Sequence, residues 1–172
     1  MVICALPAQA AIRKIEPGAI PALDADEALL LIQVDTESDL EKVRIARNNM
    51  NFDVRSMHAL KKGRTTQLFA VTVGRYRWST VVLKLPKSRL TVTGGEQYEF
   101  DVKPGRINYP GDLLCQVTSE TGRFIHVSNR GLLAMDWLRT QHPVLYRDYA
   151  FEYTGHYPDP FPGFYRDAVA GK

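Results

Sequence analysis

In the run RYRW, residues 75–78, two guanidiniums alternate with two aromatic rings. On one surface, Arg75 and Arg77 beside an aromatic plane would make a platform for an anion or a sugar, through cation–π contact and forked hydrogen bonds. Strand alternation argues the other way, because it sends Tyr76 and Trp78 to one face and leaves the arginines on the solvated one. A second group of such residues closes the chain. Tyr157, Phe161, Phe164 and Tyr165 lie in HYPDPFPGFYRD and are candidates for contact with a partner, since aromatics are enriched in binding hot spots. The same tail can instead wrap over an apolar face with Phe161 and Phe164 as anchors, which would keep its rings out of water.

Residues for covalent or metal chemistry are sparse. Cys115 sits in the apolar run LLCQV and reads as a small buried hydrophobe rather than a nucleophile. His58, His126, His142 and His156 are scattered, without HExxH or paired metal spacing. His126 shares a strand face with Phe124 as a partly buried histidine, and His142, just before Pro143, falls where a short helix ends. Asp35, Glu37 and Asp39 in DTESD alternate as oxygen ligands do, but the glycine and later glutamate of an EF-hand are missing from their places, so they read as a strand end or turn. There is no G-x-S-x-G elbow and no glycine-rich phosphate loop. The expectation is therefore no catalytic residue, no metal and no cofactor. The alternative is a small periplasmic hydrolase or carbohydrate-binding protein that assembles its site from distant strands.

Charge narrows the partners. The 22 basic and 19 acidic residues leave a net charge of +3 with no dense basic block, which excludes the electrostatic footprint of a nucleic-acid binder. Ala8 and Ala10 form the A-x-A pattern of a signal-peptidase site after a short apolar run. Residues 1–10 are read as a signal peptide whose start lies upstream, with cleavage before Ala11 and export to the periplasm; a cytoplasmic chain with an apolar N-terminus is the lesser alternative. Loss of Cys4 on cleavage would leave Cys115 alone and preclude an intramolecular disulfide. Ile3 stands where a lipoprotein places a small residue, so membrane association is expected only through an anchoring partner.

The elements that must position these residues are mostly strands. ALLLIQV (28–34) is a continuous apolar run, LEKVRIA (40–46) and FDVRSM (52–57) alternate, and TQLFAVTVGRYRWSTVVL (66–83) reads as two strands parted at Gly74. RLTVTGGEQYEFDV is strand, Gly-Gly turn and strand, and in FDVKPGRINYPGDL each Pro-Gly pair breaks an alternating run, the first as a type II turn. Strands spaced by turns about every ten residues point to an antiparallel β-sandwich, Ig-like or transthyretin-like, over 28–128 after an N-terminal extension of 11–27. In 129–156, Ser128 or Asn129 caps a helix that Pro143 stops, with Leu133, Trp137 and Leu138 facing the sandwich, and YAFEY forms a last strand. Three prolines at 158–162 favour an extended, polyproline-like course for the tail, 157–172.

VTVGRYRW (71–78) together with YEFDVKPGRINYPGDL (98–113) resembles a domain-of-unknown-function family of small exported bacterial proteins, many of them lipoproteins. The resemblance spans roughly 29–127 and implies a periplasmic β-sandwich without assigned catalytic residues. The expected function is a non-enzymatic envelope module that binds an envelope protein or cell-wall component through its sandwich surface or its tail.

Overall fold

The computed structural model describes residues 12–47, 54–84, 88–92, 95–118, 122–156, 159 and 161–169. Residues 1–10, Phe52 and Asp53, and Tyr157 lie outside them, and with them the signal peptide, the start of the FDVRSM strand and one candidate contact residue. Twelve strands are described: β1 (Arg13–Ile15), β2 (Glu27–Thr36), β3 (Leu40–Arg47), β4 (Val54–Leu60), β5 (Gly63–Thr72), β6 (Gly74–Leu83), β7 (Ser88–Thr91), β8 (Glu99–Val102), β9 (Arg106–Tyr109), β10 (Asp112–Thr118), β11 (Gly122–Ser128) and β12 (Ala150–Tyr153). Three helices join them: α1 (Gly131–Gln141), α2 (Pro143–Asp148) and α3 (Phe161–Val169). The chain is mainly β, and its described strands form two sheets.

The continuous apolar run of β2 has a direct cause: its sheet is covered on both sides, which removes the alternation of a half-exposed strand. Ala28, Leu30, Ile32 and Val34 meet the second sheet, packing with Val43, Ile45, Tyr76, Trp78 and Phe100. Leu29 and Leu31 point to the other side, where Ala134, Met135 and Leu138 of α1 and Leu145 of α2 close over them. The architecture is thus three layers, sheet on sheet with α1 and α2 packed outside the first sheet.

The first sheet runs β1-β5-β2-β10-β11, with β9 also on β2 and β12 on β9. It is not the wholly antiparallel sheet that the turn spacing predicts. β2 pairs in parallel with β9 (Leu29 with Ile107) and with β10 (Gln33 with Asp112), and β12 runs parallel to β9. Since β9 and β10 line the same side of β2 in nearly the same register, they are one long strand interrupted at Pro110-Gly111. Gly111 has φ +97°, and a Cβ there would meet Val127 Cγ1 at 2.7 Å and the Ser128 carbonyl at 3.1 Å. At this break the outer neighbour changes from β12, parallel, to β11, antiparallel.

In the second sheet, β4-β3-β6, strands β7 and β8 do not pair with each other: both follow β6 on its far side, β7 at Thr80–Leu83 and β8 at Gly74–Arg77. Pro104-Gly105, with Gly105 at φ +71°, supplies the expected turn, but it carries the chain from β8 in one sheet to β9 in the other.

Candidate binding site

The RYRW strand obeys its alternation. Tyr76 and Trp78 are each 1% exposed and lie 5.9 Å, centroid to centroid, from Phe100, while Arg75 and Arg77 face solvent. The rings serve the inter-sheet core. Arg75 pairs with Glu99 at 2.6 Å and borders a small polar hollow of about 120 Å³ with Asp101, Thr154 and His156.

The tail departs from its expected course. Instead of an extended segment, Phe161–Val169 is helical. Pro162 falls in the first turn, where its missing N–H would have no intrahelical partner. Asp159 starts the helix by accepting the Phe161 N–H at 2.9 Å, and Asp159 itself forms a β-bridge with Tyr153. Phe161 and Phe164 do not anchor it: they are 49% and 69% exposed, and Pro162 is the residue turned inward. Phe161, Phe164, Tyr165, Ala168 and Val169 follow the i, i+3, i+4, i+7, i+8 spacing of one helical face, and all five are exposed.

A comparable reversal occurs in α1. Its inward face is Gly131, Ala134, Met135 and Leu138, leaving Leu132 and Leu133 about half exposed, with Trp137 only half-buried. Leu133, expected to face the sandwich, looks outward instead, because LLAMDWL is apolar at nearly every position and its spacing alone does not choose a face. Leu132 and Leu133 meet Phe161 and Pro162 across an open cleft of about 280 Å³ at the first turns of α1 and α3. Asn129 joins the two walls: its Oδ1 accepts the Gly131 N–H at 3.0 Å, and its Nδ2 donates to Asp159 Oδ2 at 2.6 Å.

Beneath the cleft lies a polar cluster that motif reading misses, since its members come from four separated segments. The Tyr109 hydroxyl donates to Asp112 Oδ1 at 2.5 Å and accepts the Arg130 N–H at 3.2 Å. Both Tyr109 and Asp112 are fully buried. Arg130 donates to Asp35 at 2.9 Å, and its guanidinium stands 3.8 Å from Asp112 Oδ2, with that of Arg64 at 4.0 Å. Burial pushes the Asp112 carboxyl above the ordinary range despite Tyr109 and the two arginines, and burial together with the Asp112 charge pushes the Tyr109 phenol up as well. The cluster pins the start of α1, and so one wall of the cleft, to β9 and β10. Asp35 thereby ends β2 in an ion-pair network, while Asp39 of the same DTESD run pairs with Lys61.

Cys115 is buried, with its thiol pushed up to about 12 by desolvation. His126 is half-buried, and His142 ends α1 as the spacing predicts. Among the described residues no three His, Cys, Asp or Glu side chains come together as metal ligands, and no helix is long and apolar enough to cross a membrane. No family model, no curated protein and no solved structure matches the chain.

Proposed function

We propose that the protein is a non-enzymatic, exported envelope module that binds another protein through the apolar surface shared by α1 and α3. The observation that carries this reading is the outward stripe of α3, Phe161, Phe164, Tyr165 and Val169, beside Leu132 and Leu133. A short amphipathic helix ordinarily turns its apolar face to the core, whereas a contiguous exposed apolar patch marks a place of association. Aromatic side chains on a firm base give much contact area for little conformational entropy. The A-x-A pattern at Ala8 and Ala10 and the resemblance of residues 71–78 and 98–113 to small exported proteins support the envelope setting. We also read the two sheets as an elaborated Ig-like or transthyretin-like sandwich to which parallel strands and a helical layer were added.

The test is capture of envelope proteins from intact periplasm by the wild type and by Leu133→Asp and Phe164→Asp variants. Both side chains are exposed, so each substitution is expected to leave the melting temperature within about 2 °C, in line with surface substitutions of about ±0.5 kcal/mol. A partner held by the wild type and lost by both variants is expected. Equal capture by all three would move the binding surface elsewhere.

A further inference from the structure

His142 stands at the joint of α1 and α2 and is 1% exposed. Its backbone N–H donates to Leu138 and its carbonyl accepts from Tyr146, tying the two helices. The ring has no such ties: neither Nδ1 nor Nε2 has a hydrogen-bond partner, and it lies against the Trp137 ring at 5.3 Å between centroids. Over this joint runs the N-terminal arm. Ile15 is packed in the same apolar cluster as Leu138 and Leu145, Glu16 to Ala19 make a turn, and the Gly18 N–H donates to the carbonyl of Gln141 at 2.9 Å.

We propose that His142 is a pH-sensitive latch that holds the arm, residues 15–23, against α1 and α2 while the imidazole is neutral and releases it on protonation. A neutral ring without partners is tolerable in this apolar joint, but an imidazolium brings two donors and a charge that cannot stay there unpaired. Glu16 exerts a weak electrostatic pull on the ring, but its side chain is exposed and already paired with Lys14 at 3.0 Å. On α1, Asp136 and Arg139 pair with each other at the surface, as do Arg147 and Asp148 on α2. Burial accordingly lowers the imidazole below its ordinary value, against the weaker pull of Glu16. The arm is the covering most easily lifted, because Pro17 and Gly18 at its turn and the following Ala19 and Ile20 are exposed.

The experiment follows amide exchange at Gly18 from pH 7.5 to 5, corrected for the intrinsic rate, in the wild type and in the non-titrating variants His142→Phe and His142→Gln. Wild-type protection should hold above about pH 6.5 and then fall by up to about tenfold per pH unit until the lowered imidazole value is reached. Both variants should show a flat profile. A wild-type drop reproduced in either folded variant would assign the effect to another group and overturn the proposal. So would an imidazole NMR titration of the wild type at its ordinary value with Gly18 protection unchanged, a measurement that needs no variant to fold.

Discussion

Tyr109→Phe isolates the polar cluster under the cleft, because it deletes one oxygen while keeping the ring against Phe151 and Tyr153, 5.5 and 6.0 Å away. Two hydrogen bonds disappear, the one donated to Asp112 and the one accepted from the Arg130 N–H. Asp112 is fully buried and its Oδ2 has no hydrogen-bond partner, so after the substitution the whole carboxyl would lack a donor in hydrogen-bonding range. A bond to a charged acceptor contributes about 1.5–3 kcal/mol, and a buried N–H left unsatisfied costs about 1–3 kcal/mol. Allowing for relaxation at the start of α1, the loss should be about 3 kcal/mol. For a chain of this length each 1 kcal/mol corresponds to about 2–4 °C, so the melting temperature should drop by about 6–12 °C. Tyr76→Phe is the control: its hydroxyl donates one bond, 2.7 Å, to the Thr72 carbonyl, and its removal should cost about 1 kcal/mol. Calorimetry of both variants beside the wild type decides the matter. If Tyr109→Phe melts within about 2 °C of the wild type, the cluster does not hold α1, and the account of how the cleft wall is positioned is wrong.

The raised value of Asp112 has a definite sign. A carboxyl whose folded value exceeds its unfolded one, about 3.9, favours the fold when protonated and loses that contribution as pH rises through the folded value. Against Asp112→Asn, the wild type should therefore lose relative stability on going from pH 4 towards neutrality, a trend readable from urea midpoints. A parallel pair of curves would contradict it. Cys115, its thiol pushed up to about 12, should react with a thiol reagent at pH 8 about a thousandfold more slowly than free cysteine; complete labelling of the folded protein within minutes would show the thiol to be accessible. The N-cap of α1 is Arg130, not Ser128 or Asn129 as its sequence suggests, but Asn129→Ala still removes both the bond accepted from the Gly131 N–H and the link to Asp159, with an expected loss of about 1 kcal/mol and faster amide exchange at Phe161. Unchanged exchange there would mean that the start of α3 does not depend on Asn129.

What could be read from the chain beforehand was what depends on near neighbours. The break at Gly74, the turn at Pro104-Gly105, the inward Tyr76 and Trp78, the buried Cys115 and the helix end at His142 each follow from a few adjacent residues. Partners set by distant register were not legible. Pro110-Gly111 looks like any turn, and only the pairing of Ile107 with Leu29 and Asp112 with Gln33 makes it a break within one parallel strand. The tail misled for a related reason. Its prolines argue against a helix locally, yet Asp159, fixed by Tyr153 and Asn129, supplies a start from which Phe161–Val169 winds. The Tyr109, Asp112, Arg130 and Asp35 cluster has no motif, because charge neutralisation inside a fold requires proximity in space and no particular spacing in sequence.

The two-sided burial of β2 also dictates an order of events during synthesis. Residues 1–128 hold β2 and every described strand of the second sheet, but the residues that close over Leu29 and Leu31 on the other side, Ala134, Met135, Leu138 and Leu145, lie about a hundred positions downstream. At roughly 5–20 residues per second a ribosome needs several seconds to deliver them. Once Leu68 and Ala70 of β5 have joined Leu29 and Leu31, this face of the first sheet stays uncovered until those residues arrive, a surface suited to a holding chaperone or to a neighbouring copy. Completion of the fold is thus tied to residues 131–148, and chains released near Ser128 should be captured by chaperones or lost to aggregates rather than accumulate as a smaller stable sandwich.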